Sequence, residues 1–118
     1  MKTLKVGIMP ADQFKQRVLD IAAGRYKPEP SEPKIWFSSL KSLAEILNEN
    51  NTRLLTLIEK MKPTSLKELS ELSGRQSSNL SRTLKTFERY GIVELVKENK
   101  FLRPVVKATN FQIEYRSA

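Results

Sequence analysis

Between Gly74 and Lys107 the chain sets small polar and cationic residues at a spacing that could do chemistry on an anionic partner. In the run SSNLSRTLKTFER (77–89), Leu80, Leu84 and Phe87 recur at i, i+4 and i+7 and form one apolar stripe. At roughly 100° per residue, the opposite face carries Ser78, Arg82, Lys85 and Arg89, with Asn79, Ser81 and Thr86 at its margins. No acid interrupts that strip until Glu88 at its edge. Hydroxyls, a carboxamide and cations without neighbouring carboxylates are the groups that reach base edges and phosphates in a major groove. A face that only meets water more often mixes both signs and gains i,i+4 pairs. For this helix taken alone, the plain solvated face stays open as an alternative.

The charge around the helix shifts that balance. From Arg75 to Lys107 there are eight basic residues (Arg75, Arg82, Lys85, Arg89, Lys97, Lys100, Arg103, Lys107) against three acids (Glu88, Glu94, Glu98), so this span carries +5 of the chain's net +8. A local positive field of this kind is what a phosphate backbone selects for. The candidate contact residues are therefore Ser77, Ser78, Asn79, Ser81, Arg82 and Lys85 on the helix. Arg75, Lys97, Asn99, Lys100 and Arg103 flank it.

The elements that must position these side chains are also readable. Ser65 and Glu68 stand three apart, just ahead of the apolar positions Leu66, Leu69 and Leu72, which is the pattern of a capping box. Gly74 follows the last periodic residue and predicts a left-handed helix end, and the chain then turns at Gly74–Gln76. Ser77 is the expected cap of the second helix. After Gly91, the β-branched run Ile92–Val96 predicts a strand, Lys97–Lys100 a charged turn, and Phe101–Lys107 a returning strand that Pro104 confines to an edge or breaks. Short helix, turn, long amphipathic helix and hairpin together describe a helix-turn-helix leading into a wing.

Upstream, Leu4, Val6 and Ile8 alternate with Thr3, Lys5 and Gly7, predicting a strand with one buried face. Pro10 suits the start of a helix whose apolar positions are Phe14, Val18, Ile21 and Ala22. The segment RYKPEPSEP (25–33) holds three prolines and has no periodicity, so it reads as a stiff linker or as a strap across the surface. Ile35, Trp36 and Phe37 form an aromatic-rich anchor for the interior, with a partner contact as the alternative. Leu40, Leu43, Ala44 and Leu47 define a helix that Asn48–Asn51 should break. Leu54, Leu55, Leu57, Ile58 and Met61 define the next, closed by Pro63, and the two helices should supply most of the core. Phe111, Ile113 and Tyr115 alternate with polar residues and predict a last strand with a buried apolar face.

With no cysteine and no histidine among 118 residues, the chain lacks disulfides, thiolate nucleophiles, imidazole bases and the usual zinc ligands. No glycine-rich phosphate loop or paired carboxylates stand out, so the expectation is a protein that is not an enzyme and uses no metal or cofactor. The apolar run Val6–Met9 is far too short for a signal-peptide core or a membrane span, and the expected location is cytoplasmic.

The run GRQSSNLSRTLKTFERYGIVEL resembles the recognition helix and wing start of winged helix-turn-helix regulators of the ArsR and MarR type, in which a Ser-Arg-x-Leu-Lys segment precedes a Gly-[Ile/Leu]-Val step. The longer span from Trp36 to Tyr115, ending in RPVVKATNFQIEY, resembles a group of small prokaryotic transcriptional regulators, some of which lie beside small toxins and act as antitoxins. The resemblance implies DNA binding by a dimer, with Ser78, Ser81 and Arg82 at the groove and the Lys97–Lys100 turn as the wing tip. It departs from the metal-sensing branch in having no cysteine or histidine.

The expected fold is thus α+β: a mainly α winged helix-turn-helix over 34–118 with a C-terminal β-wing, preceded by a strand-helix extension and linker over 1–33. The expected function is sequence-specific binding of double-stranded DNA by a homodimeric regulator, a repressor, with no membrane association. The alternative is an antitoxin that holds a small toxin through residues 1–33 and autoregulates its operon. An RNA-binding protein would call for aromatics exposed on a sheet, and the alternation of Phe111 and Tyr115 fits a buried face better.

Overall fold

A strand can bury both faces only if neighbours cover its backbone on either edge, and β1 (Thr3–Ile8) meets that condition. It pairs in parallel with β2 (Ile35–Phe37) in the register Val6–Ile35, Gly7–Trp36 and Ile8–Phe37, and β5 (Asn110–Tyr115) lies on its other side. The computed structural model describes residues 2–117, which form an α+β fold of five helices and five strands. The remaining elements are α1 (Ala11–Ala22), α2 (Leu40–Ile46), α3 (Glu49–Met61), α4 (Leu66–Ser73), α5 (Ser77–Arg89), β3 (Val93–Glu98) and β4 (Phe101–Val106). Two compact units divide the chain: one holds Ile46–Asn110 together with Lys2, the other Thr3–Glu45 and the segment from Phe111 onward.

In the unit built on the three-stranded sheet, Val6, Gly7 and Ile8 are all buried, more than the single buried face predicted from the alternation. The reason is the central place of β1, since strands with parallel neighbours are commonly covered on both faces. Gly7 is required there by space: a Cβ on it would stand 2.3 Å from ring carbons of Trp36. Trp36 is in turn covered by the guanidinium groups of Arg17, 5.0 Å from the ring centroid, and Arg116, 5.3 Å away.

The segment 25–33 is a strap, tied down at several points. Glu32 accepts from the Tyr26 hydroxyl, from Arg17, from Arg116 and from the Glu29 backbone N–H, while Lys5 donates to the Ser31 carbonyl at 2.9 Å. Pro33 is buried. The Tyr26 hydroxyl and then the Arg17 guanidinium hold the Glu32 carboxyl down at about 2, from an ordinary 4.5.

Three features of this unit go beyond the residue patterns. The division at residue 33 does not match the units, because β1 takes its two sheet neighbours from beyond the strap. Helix α1 is amphipathic: Gln13, Arg17 and Asp20 are half-buried, whereas Phe14, Val18, Leu19 and Ile21 face solvent. The inner face is polar because Arg17 and Asp20 are claimed by Glu32, Gln16 and Arg25. Finally, β5 is an edge strand, and Ile113 and Tyr115 are 50% and 59% exposed where a buried face was predicted.

The other unit is assembled from α3, α4, α5 and the antiparallel β3–β4 hairpin, whose register runs from Val93–Val106 to Glu98–Phe101. Its interior is Leu54, Leu55, Ile58, Leu69, Leu80, Leu84, Phe87, Ile92 and Val93. The Leu40–Leu47 segment was expected in this core; instead α2 up to Glu45 groups with the sheet unit, so α3 alone serves that role. The break expected at the asparagine run is present but narrow, with α2 ending at Ile46 and α3 starting at Glu49. Asn48 caps α3 by accepting from the Asn51 N–H at 2.8 Å, and Asn50 and Asn51 lie in its first turn. Lys62, left-handed at φ 46°, ends α3 ahead of the buried Pro63. Pro104 is tolerated because β4 has a strand on one side only.

Two outcomes are expected. Gly7→Ala should destabilise by about 1–3 kcal/mol through overpacking against Trp36, read as a lowered urea midpoint. Because the Glu32 carboxyl is depressed, its stabilisation is complete above 4.5 and is lost as pH falls from there toward about 2, where the unfolded chain takes up the proton first. The urea midpoint of Glu32→Gln should therefore fall less steeply than that of the parent chain across that window; identical slopes would discount the strap.

Candidate nucleic-acid interface

Leu80, Leu84 and Phe87 have no exposed surface, which fixes the rotation of α5 about its axis and turns the opposite side outward. The helix before it is set by its own ends. The Ser65 hydroxyl accepts from the Glu68 N–H at 3.1 Å, as the capping pattern predicts. The reciprocal half differs: Glu68 accepts from the Thr64 hydroxyl at 2.9 Å. Gly74 takes φ +74° at the end of α4, and the turn is then tied by the Ser70 hydroxyl donating to the Arg75 carbonyl at 2.6 Å and by Arg75 N–H donating to the Ser73 hydroxyl at 3.2 Å. The angle at which α5 leaves is thereby constrained.

The expected cap of α5 is displaced by one residue. Gln76 occupies the cap position without a side-chain bond, and Ser77 is the first helical residue. The first turn of α5 consequently holds no acid and no capping side chain, leaving its N–H groups and positive dipole end open.

Of the helix candidates, Ser77, Ser78, Asn79, Arg82 and Lys85 are exposed and Ser81 is half-buried. Arg75, half-buried in the turn, donates to Asn51 at 3.2 Å and to Asn79 at 3.5 Å. Asn51 is itself anchored, its amide donating to the Ile46 carbonyl at 2.9 Å. Arg75 is thus held between the start of α3 and the start of α5. An open cleft of about 780 Å³ lies there, with Asn48, Asn50, Asn51, Arg53, Arg75 and Asn79 among its polar lining and Leu54, Leu57 and Leu72 among its apolar lining. Sequence reasoning missed the α3 side of this cleft, since the asparagines read as a helix break; the Asn-x-x-Asn cap spacing was the available signal.

The hairpin turn is tighter than expected. Lys97 and Glu98 belong to β3, and only Asn99 and Lys100 form the turn, with Asn99 left-handed at φ 55°. Lys97, Asn99 and Lys100 are exposed. Arg103, expected to grip phosphates, is paired with Glu98 at 3.2 Å, and Lys107 with Glu94 at 3.4 Å. Among the described residues no ion pair engages Arg82, Lys85, Lys97 or Lys100. Arg89, exposed at the end of α5, is likewise outside these pairs, so the open cations of α5 and the hairpin include all five. The described residues contain no group of three acids, cysteines or histidines that could hold a metal ion, and no helix long and apolar enough to cross a membrane.

The class defined by these features is an α+β chain with a three-helix-and-hairpin unit that carries exposed cations on α5 and the hairpin as well as on α3 and α4. The chain belongs to the HVO_A0114 family, whose model matches residues 46–113. That match begins at the residue with which the helical unit begins and runs just past its end. No curated protein and no solved structure matches the chain.

Asn51→Ala removes the acceptor of Arg75 and the amide bonded to Ile46. The variant should lose about 1–3 kcal/mol of stability, measured by urea unfolding. A change within experimental error would mean that Arg75 is not held by this contact.

Proposed function

We propose that this protein is a sequence-specific DNA-binding transcriptional regulator and that its helical unit is a winged helix-turn-helix. In this reading α4 and α5 form the helix-turn-helix, α5 lies in the major groove, and the β3–β4 hairpin is the wing. The observation that carries it is the outer face of α5, where Ser77, Ser78, Asn79, Arg82 and Lys85 stand exposed and the cations are unpaired, opposite a wholly buried stripe.

Each group has a role that follows from its chemistry. Arg82 or Lys85 donates to the O6 and N7 acceptors of a guanine, and the serines and Asn79 make shorter polar contacts. The uncapped first turn of α5 favours a phosphate by its N–H groups and dipole. Lys97 and Lys100 reach the backbone beside the groove without reading sequence. Arg103 contributes less than its charge suggests, because Glu98 already neutralises it. One recognition helix offers too few base contacts for operator-level discrimination, so two copies on two half-sites form the working unit. Occupying an operator in this way represses transcription from it.

A second reading rests on α1, whose apolar row Phe14, Val18, Leu19 and Ile21 is exposed. A face of that kind suits a protein partner. An antitoxin that seats a toxin there would bind its own operator as well, so the two readings are compatible. Co-expression with the product of an adjacent gene, followed by purification of a complex lost in Val18→Glu, would favour it.

Selection of bound duplexes from a random pool supplies the site for a quantitative test. On that site Arg82→Ala should cost about 1–3 kcal/mol and flatten the preference at one base position. Lys100→Ala should weaken the selected and a scrambled duplex equally and reduce the slope of log K against log salt by about one. Even loss on both duplexes by Arg82→Ala would mean that α5 does not read bases.

A further inference from the structure

We propose that the open edge of β5 is the seat of a second copy of this chain, two β5 strands pairing antiparallel about a two-fold axis at Ile113. The three-stranded sheets of two protomers would then join through that edge into one continuous sheet. The proposal deepens the dimer in the reading above, yet its test uses no DNA, so either can fail alone.

Strand β5 ends the order β2-β1-β5 and runs for six residues, Asn110–Tyr115. A strand so placed presents a row of unpaired N–H and C=O groups, which proteins usually guard with lysine, proline or brevity. The opposite edge is guarded in that way: β2 has three residues and follows Pro33 at close range. β5 contains neither lysine nor proline.

The backbone fixes which groups are open. Arg116 N–H donates inward to the Ile8 carbonyl at 2.9 Å. Alternation back from Arg116 then turns the N–H and C=O of Tyr115, Ile113 and Phe111 outward; Thr109, ahead of the strand, departs from it, its N–H donating to the Lys2 carbonyl at 3.4 Å. In an antiparallel pair centred on Ile113, Ile113 faces itself, and Phe111 faces Tyr115 of the second copy. Every facing residue on this side has its groups open, so each pair exchanges both backbone bonds.

The side chains agree with the same register. Phe111, Ile113 and Tyr115 share one face, which sets aromatic against aromatic on either side of an isoleucine pair. On the other face Gln112 meets Glu114 of the second copy, an amide donor against a carboxylate, and no like charges oppose each other. Recentring on Glu114 would set that carboxylate against its own copy. Recentring on Gln112 would leave Tyr115 facing Thr109, outside the strand. The exposure of Ile113 and Tyr115 is then the surface that pairing covers.

The experiment is sedimentation of the full chain at tens of micromolar. The parent chain should be a dimer, and Ile113→Lys and Ile113→Glu should each sediment as monomers, because a two-fold axis brings position 113 against itself. Mixing the two variants should restore a dimer. A monomeric parent chain, dimers of either single variant, or a mixture that stays monomeric would each overturn the proposal. Because a charge at 113 can also weaken the fold, single cysteines give an independent arm in a chain that has none. Facing Cα atoms at Ile113 lie about 5.5 Å apart, within disulfide reach. Position 115 faces 111 and is about 14 Å from its own copy. Ile113→Cys should therefore oxidise to a covalent dimer much faster than Tyr115→Cys, and equal rates would overturn the register.

Discussion

The complete burial of Leu80, Leu84 and Phe87 is the constraint from which the helical unit takes its form. Each such side chain contributes roughly 1.5–3 kcal/mol when withdrawn from water. Leu69 of α4 and Ile92 and Val93 at the start of the hairpin are equally buried, so the two elements flanking α5 in sequence close over the same stripe. Rotating α5 to present a different outer face would expose that stripe. Apart from Asn79, which accepts from Arg75, the outward residues are consequently free of any contact that the fold depends on, and the absence of acids among Ser77, Ser78, Asn79, Arg82 and Lys85 has no structural cause.

The sheet unit is held by different physics. Its small apolar core of Val6, Ile8, Met9, Phe37 and Leu43 is supplemented by a polar cluster in which one carboxylate, Glu32, accepts from Tyr26, Arg17 and Arg116 while both guanidiniums cover Trp36. The side chains of Arg17 and Glu32 are each only 10% exposed, so removing one partner alone would leave a largely desolvated charge. Committing the polar side of α1 to this cluster has the effect of leaving its apolar side outward. The family match covers the helical unit and, of the sheet unit, only residues 111–113.

Local signals were legible in the sequence and long-range ones were not. Ser65 and Gly74 bound α4 because capping depends on residues a few positions away, and the stripe of α5 is a matter of period alone. The exposed helix residues follow from that same period. The Arg75–Asn51 contact joins residues 24 apart, and Arg116–Glu32 joins residues 84 apart; no periodicity encodes either. Strand alternation in Leu4–Ile8 and Phe111–Tyr115 gave the strands but not their order, and order decides burial. The pattern that is buried in central β1 is exposed at edge β5. In α1 the period gives the helix but not its inner face, which is the polar side that holds Arg17 and Asp20 in their ion pairs.

The order of strands has a consequence for synthesis. Strand β1 leaves the ribosome first, whereas its neighbour β5 is made about a hundred residues later, after the whole helical unit. At typical elongation rates of about 5–20 residues per second, β1 waits roughly 5–20 s for that edge to be closed. The helical unit meanwhile draws all its described members but Lys2 from the stretch 46–110, which is complete soon after β4 emerges. The nascent chain therefore passes through an interval in which the unit bearing α5 is complete and the sheet is not. Any factor that holds β1 during that interval would delay the sheet and its open edge without touching the helix.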